Sequence, residues 1–256
     1  KAIKGIGTES QNAAKKINVA ERSIHGLRRG FGLLAGAAAG AGIAAFAKST
    51  VKASSDVNES LTKNQVLFGR NAAAVDKFSK TSATAFGISR RSALEYTGVF
   101  GNLFTALGIA SGNSAKFSVG LTKLAGDMAR FNNTSIDDAL EAIRSGLVGE
   151  TEPLRRYGVN LNDATLRQQA MSMGLTKTTK NVLTPYQRSM AAMTLTIKQT
   201  EKAHGDFRRT SGGLANQQRI LAARWDDTKV ALGDKLLPAV LKGVTALNRF
   251  ITQMQK

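Results

Sequence analysis

The sequence predicts an all-α protein, with elongated helices that carry coiled-coil seams at both ends and a compact helical middle. Three observations lead there. Apolar residues recur at three- and four-residue spacing along most of the 256 residues. Aromatics are only 6% of the chain and Pro occurs three times, against 25 Gly; that mix suits helices joined by small-residue contacts better than a β-sandwich. Apolar residues reach 42%, enough for a sizeable core and too many for a disordered chain. The spacing divides the chain into a basic, Gly/Ala-rich helical region (1–55), a helical core region (56–210) and a long C-terminal helix (211–256).

The N-terminal seam runs through Ile17, Ala20, Ile24, Leu27, Phe31, Leu34, Ala38, Ala41 and Ala45, and backwards through Ala13, Ser10, Ile6 and Ile3. Such a/d spacing needs partner helices, because one helix cannot bury its own seam. Inside it, Gly30–Ala47 is a stretch without a charge in which Gly32, Gly36 and Gly40 recur every fourth position. Small residues at this spacing let helices approach backbone to backbone. Gly30, Gly36, Gly40 and Ala47 mark it as a candidate membrane segment at the lower limit of spanning length. Ala and Gly contribute little transfer energy, so the expectation is a packed oligomeric helix, or one that enters a membrane only transiently. The Gly30-x-Gly32-x-x-Ala35 match to a dinucleotide fingerprint is set aside: no strand precedes it and no acidic residue follows at the needed distance.

Helical spacing resumes over Asn58–Ser79 and Arg90–Leu107, interrupted by Gly69, Gly87 and a Gly108–Asn113 loop, and again over Phe117–Phe131. Asn132-Asn133-Thr134-Ser135 supplies an N-cap, with Asp137 and Asp138 in the first turn to complement the helix dipole. Ile136, Ala139, Leu140, Ile143 and Leu147 then share a face up to Gly149. A turn around Pro153 carries Leu154 and Tyr157 and ends at Gly158; Asn162 or Asp163 caps the next helix, which runs to Gly174. Thr184-Pro185-Tyr186-Gln187 combines an N-cap, Pro at the first position and Gln three after the cap. The stripe Tyr186, Met190, Met193, Ile197 is expected in the core. After a break over Arg208–Gly213, a last helix carries Trp225 and Val230 and then a regular seam of Leu237, Val240, Val244, Leu247 and Ile251. Pro238 lies inside that pattern and is expected to kink the helix or start a new one.

Charge and chemistry narrow the function. With 36 Lys and Arg against 18 Asp and Glu, the formal charge is +18, so an acidic partner is expected. Residues 131–163 alone are net acidic. Base-stacking aromatics and groove-reading modules are not evident among the scattered pairs Arg28-Arg29, Arg90-Arg91, Arg155-Arg156 and Arg208-Arg209, which are expected on solvated helix faces. With no Cys and only His25 and His204, neither a thiolate site nor a multi-histidine metal site can form. Glu150 and Glu152 are the nearest approach to a paired-carboxylate site, and ion pairing with Arg155 or Arg156 explains them better. No phosphate loop, zinc-protease motif or nucleophile elbow occurs. No enzyme activity, metal or cofactor is expected.

The run LTKLAGDMARFNNTSIDDALEAIRSGLVGETEPLRRYGVNLNDATL, Leu121–Leu166, resembles the core region of phage tail tape measure proteins. The matching elements are Asn132 to Ser135, Asp138-Ala139-Leu140, Ser145-Gly146-Leu147 and the stretch Gly149 to Val159, read against the family's string N-x-T-S-x-x-D-A-L-x-A-L-x-S-G-L-x-G-E-x-E-P-L-R-x-F-G-I. The later stretch Gly205–Val240 is also similar to the segment that follows in these proteins, so the resemblance covers most of 84–250.

The resemblance implies a structural virion protein, threaded through the tail tube in several copies, that sets tube length, scaffolds tail assembly and leaves ahead of the genome. Its implied place is the lumen of the phage tail, with transient contact with the host membrane and periplasm on infection. Partners would be copies of itself, tail tube and tail tip proteins, and during ejection genomic DNA and the host inner membrane. Heptads with Ile and small residues favour a trimer, and the Gly/Ala part admits assemblies from two to six. Family members are much longer, and the chain begins at Lys1 with no initiator Met, so it is expected to be one segment of a longer protein. Two alternatives use the same features: a membrane-active helical protein built on Gly30–Ala47 that aids DNA passage, and a sequence-independent nucleic-acid binder that uses the positive charge.

Overall fold

A computed structural model describes residues 37–254 of the chain. Two compact units are distinguished, residues 1–48 and 49–256, and the packing below is that of the second. The described residues are helical and contain no strand, so the all-α expectation holds. The order is α1 (Ala37–Phe68), a 3-10 turn (Gly69–Asn71), α2 (Ala72–Phe86), α3 (Arg90–Ala106), α4 (Ser111–Phe131), α5 (Ile136–Val148), α6 (Glu152–Arg155), α7 (Asp163–Ser172), α8 (Pro185–Gln199), a 3-10 turn (Glu201–Ala203), α9 (Asp206–Arg209) and α10 (Leu214–Met254).

The helix starts are written in side chains. Ser89 Oγ accepts the Ser92 N–H at 3.3 Å, Ser135 Oγ accepts the Asp138 N–H at 3.0 Å, and Asn162 Oδ1 accepts the Thr165 N–H at 2.9 Å. At α8 the cap is reciprocal: Gln187 N–H donates to Thr184 Oγ1 at 3.3 Å, and Thr184 N–H donates to Gln187 Oε1 at 2.9 Å. Gly149 ends α5 in the left-handed region, at φ 107°, where a side chain would be strained.

Helix α4 is the axis of the packing. Its buried residues include Ser114, Ala115, Ser118, Leu121, Thr122 and the whole run Leu124–Ala129, and it packs on α3, α5, α2 and α9. The largest apolar cluster joins Phe100 and Phe104 of α3, Leu121 and Met128 of α4, Ile143 and Leu147 of α5, Leu154, Leu166 of α7 and Met193 of α8. A second cluster joins Val57 and Phe68 of α1 to Val75, Leu94, Ala115 and Val230. A third holds Phe78, Ile88 and Ala93.

Several expectations shift. Helix α4 begins at Ser111 rather than Phe117, because Ser114, Ala115 and Ser118 pack inward although they are not strongly apolar. On α8 the buried face is centred on Ser189, Ala192, Met193 and Thr196, whereas Tyr186 and Ile197 are each 39% exposed. Ser189 Oγ donates to the Leu147 carbonyl at 2.5 Å, a contact that a small residue permits and a bulky stripe would prevent. Pro238 neither ends α10 nor starts a new helix: α10 runs through it. Pro238 is exposed; the lost N–H and the pressure of its ring on the carbonyl one turn earlier weaken the helix there, and the turns on either side carry it through. Arg90 and Arg91 are half-buried and ion-paired, with Asp76 at 3.1 Å and Asp226 at 3.2 Å respectively, instead of lying on a solvated face.

The tightest side-chain joint is Leu154 against Gly146. A methyl group on Gly146 would stand 2.2 Å from Leu154 Cδ1, and Leu154 is fully buried. Leu154→Ala is expected to lower unfolding stability by about 2–5 kcal/mol. Val148→Ala, at a half-exposed position on the same helix, should change it by less than about 0.5 kcal/mol. Urea denaturation of the two variants measures the difference.

Candidate functional site

The residues of the Leu121–Leu166 string take positions with local physical roles. Asn132 Nδ2 donates to the Met128 carbonyl at 2.9 Å and caps the end of α4. Asn133 takes a positive φ of 52°, which Asn tolerates better than most side chains. Thr134 Oγ1 lies 3.1 Å from the Tyr157 hydroxyl, linking the α4–α5 turn to the end of α6, and Ser135 caps α5. Gly146 admits Leu154, Gly149 and Gly158 take positive φ, and Val159 is buried. The acidic and basic residues pair locally: Arg155 with Glu152 at 2.9 Å, Arg156 with Asp138 at 3.9 Å, and Arg144 with Glu141 at 2.6 Å. Arg156 also covers the Tyr157 ring, 5.4 Å from its centroid. The string therefore encodes two turns and the joint between them.

Helix α10 carries the other candidate site. Its inward face in the second unit repeats every seven residues: Asn216, Ala223 and Val230 are buried and Leu237 is half-buried. Between them the interface is polar. Asp227 Oδ1 accepts the Arg90 N–H at 2.7 Å, at the start of α3. Asp226 takes Arg91 at 3.2 Å and Lys229 at 2.8 Å, and Arg91 also reaches Asp56 of α1 at 3.7 Å. Ser54 Oγ donates to Asp234 Oδ1 at 2.5 Å. Next to it, Gly233 lies against α1 so closely that a methyl group would stand 1.9 Å from the Thr50 carbonyl oxygen. Upstream, the buried Asp127 carboxylate accepts the Gly205 and Phe207 N–H groups at 2.8 and 3.1 Å. It thereby fixes α9 and places Phe207, which is fully buried, ahead of α10.

Beyond Leu237 the same seven-residue phase continues into Val240 and Val244, which are 42% and 50% exposed. Leu247 and Ile251 follow on the α10 backbone, and their side chains lie outside the described residues. So do Ile17, Ile24, Leu27, Phe31 and Leu34 of the N-terminal seam, and Gly30 and Gly36. Gly40 is placed in α1 by its backbone alone, and Ala47 is half-buried in that helix. Among the described residues no helix is long and apolar enough to cross a membrane.

Sequence reasoning missed the clamp at Asp226, Asp227 and Asp234. They stand three and four residues after Ala223 and Val230 of the seven-residue repeat, on the same side of α10, so the helical spacing was present. Their charge hid them from a search for apolar residues.

A cleft of about 390 Å³ opens between the starts of α3 and α5 and the side of α10, lined by residues including Ser89, Arg91, Tyr96, Asp137, Arg219 and Asp226. The Tyr96 hydroxyl donates to Asp137 across its edge. Burial, and then the Asp137 carboxylate, push the phenol far above its usual range, so it remains a donor at any ordinary pH. No group of three or more His, Asp or Glu among the described residues is placed to hold a metal ion. No protein-family model, curated protein or solved structure matches the chain.

The two neighbouring carboxylates of the clamp are displaced in opposite directions. Burial alone would raise Asp226, but hydrogen bonds from Lys229 and Arg91 outweigh it and hold the carboxyl below the usual range. For Asp227 burial wins: the Arg90 N–H offsets part of it, Asp226 adds repulsion, and the carboxyl lies above the usual range. A depressed carboxyl contributes stability that is present above about pH 4 and lost as pH falls through its folded value. Asp226→Asn should therefore cost roughly 1–2 kcal/mol at pH 7, with the gap to the unaltered chain narrowing as the pH falls below about 4. Asp227→Asn keeps an acceptor for Arg90 and removes a charge that burial disfavours, so stability at pH 7 should be unchanged or higher. Urea unfolding at pH 7 and pH 3 checks both, and a loss for Asp226→Asn that is equal at the two pH values contradicts the assignment.

Proposed function

We propose that this chain is a segment of a phage tail tape measure protein, a structural virion component that sets tail-tube length, scaffolds tail assembly and is released during genome ejection. The observation that carries the reading is the Leu121–Leu166 string. Its length and order are specific, and its residues act in turns, caps and a close helix joint. A string of that kind belongs to a shared architecture, and a structural role needs nothing more from it.

Two further features support the reading. Helix α10 has 41 residues, about 60 Å of rod, and a helix laid lengthwise converts residue number into distance. The positive balance of the chain suits an acidic tube wall, held by many weak contacts that let the protein slide out. The seams at Leu237, Val240, Val244, Leu247 and Ile251, and at Ile17 to Leu34, are the surfaces on which copies would associate, with a trimer favoured.

The ruler role is tested by in-frame deletion in the parent protein. Tails should shorten by about 1.5 Å for each residue removed, as measured by electron microscopy of the virions. Tails of unchanged length defeat it. The association surface is tested separately with the double variant Val240→Asp, Val244→Asp. Both positions are exposed, so the unit should keep its unfolding midpoint while sedimentation shows loss of the oligomer. An oligomer that survives the change places the contact elsewhere.

A further inference from the structure

Helix α10 has a second side that its own unit leaves largely open. Leu214, Gln218, Leu221, Trp225, Thr228 and Leu232 follow one another at four- and three-residue steps, which sets them in one stripe along the helix. The stripe lies opposite the inward row of Asn216, Ala223 and Val230, and Leu214, Leu221 and Trp225 are 76%, 69% and 58% exposed. It contains no charge. All three carboxylates of α10, Asp226, Asp227 and Asp234, are engaged with α1 and α3 on the inward side. The charged residues that flank the stripe are therefore cations, Arg224 and Lys235 along one edge and Lys229 along the other. Lys229 is held by Asp226 at 2.8 Å, whereas Arg224 and Lys235 are exposed.

The complement of an apolar stripe edged by cations is an apolar hollow with an acidic rim, and the same unit carries one. Helices α3 and α5 both pack on α4, and a groove of about 260 Å³ runs between them. Val99, Phe100 and Leu140 form its apolar lining, with Val99 37% exposed. Three carboxylates, Glu95, Asp137 and Glu141, line it against the single guanidinium of Arg144. Glu141 is paired with Arg144 and Asp137 accepts the Tyr96 hydroxyl, which leaves the exposed Glu95 as the carboxylate open to an incoming cation. Helix α5 belongs to 131–163, the net acidic stretch of a chain whose formal charge is +18.

We propose that the outer stripe of α10 docks in the α3–α5 groove of a second copy of this chain, with Leu221 and Trp225 over Val99 and Leu140, and Arg224 against Glu95. The stripe does not reach the groove of its own unit, because the carboxylate clamp holds α10 with the stripe turned away from α3. Nor does the stripe suit a copy of itself. Pairing two stripes sets the flanking cations of one against those of the other, a like-charge juxtaposition that disfavours the complex, whereas an acidic rim attracts them. The hollow takes one or two side chains, well short of the roughly 1,200 Å² that a stable interface buries, so the contact is weak. It joins two unlike surfaces, and is therefore head-to-tail, repeating from copy to copy until a ring closes or a row of copies forms. It uses neither the tape measure reading nor the seam beyond Leu237.

The chain has no cysteine, so single introduced thiols report the contact in the whole chain. Val99→Cys chains mixed with Leu221→Cys chains and mildly oxidised at low salt should form a mixed disulfide dimer. Its rate should exceed by about tenfold or more that of Leu221→Cys with Val182→Cys, an exposed position outside the groove. Adding Glu95→Arg to the first chain should slow the reaction about fivefold, and adding Arg224→Glu to the second should restore it. Glu95 and Arg224 are both exposed, so these charge changes should leave the unfolding midpoint in place. The proposal is overturned if the mixed disulfide forms no faster than the Val182→Cys control, or if Leu221→Cys chains pair preferentially with each other. It is overturned equally if Glu95→Arg leaves the rate unchanged or Arg224→Glu does not restore it.

Discussion

The second unit depends on how closely its helices can approach α4. That helix is buried along most of its length, yet Ser114, Ala115, Ser118, Thr122, Ala125, Gly126 and Ala129 supply much of its buried surface. Small side chains bury little apolar area each, so stability has to come from short interhelix distances and dense packing. The same economy recurs at Gly146 under Leu154, at Gly101 against the Phe68 ring and at Gly233 against the Thr50 carbonyl. In each place a methyl group would force a neighbour to move. Some of the buried hydroxyls that come with small residues are satisfied locally, as where Thr97 and Thr122 donate to carbonyls on the preceding turn of their own helices, while Ser114 and Ser118 of α4 bury hydroxyls without an acceptor.

Close packing explains why the Leu121–Leu166 string is long and continuous. Two helices that touch at a glycine tolerate little error in the turn between them, so α5 and α6 need defined ends. Ser135 and Gly149 define the first, and Gly158 the second. Thr134 and Tyr157 then tie the two turns to each other, and Leu154 fills the space that Gly146 leaves. The charged residues of α5 and α6 stay at the surface in pairs such as Glu141–Arg144 and Glu152–Arg155, which contribute little each, whereas Asp127 of α4 is buried against α9.

Helix α10 is held in a different way. Its inner face buries Ala223 and Val230 but relies on Asp226, Asp227 and Asp234 for its directional contacts with α3 and α1. Such a polar interface fixes register well and adds modest stability. Past Leu237 the helix keeps its phase while the side chains turn fully apolar and exposed at Val240 and Val244. One continuous helix thus presents a polar half to its own body and an apolar half outward.

Helix content, most helix ends and the turns around Pro153 and Pro185 were legible in the sequence, because caps, positive-φ glycines and the three-four spacing are local signals. The start of α4 was not, since serines and alanines become core residues only when another helix is near. Nor was the inward turn of Arg90 and Arg91, which depends on Asp76 of another helix for Arg90 and on Asp226, 135 residues along the chain, for Arg91. Of the stripe Tyr186 to Ile197, Met193 is in the core and Met190 packs on it, while Tyr186 and Ile197 at its ends are exposed, because packing on α5 turned the buried face toward the small residues beside it. By itself the sequence determined an all-α chain with a positive surplus and a specific string at its centre. The tertiary structure decided which arginines are paired and which face of α10 is buried against α1 and α3, since those outcomes rest on contacts between groups far apart in the chain.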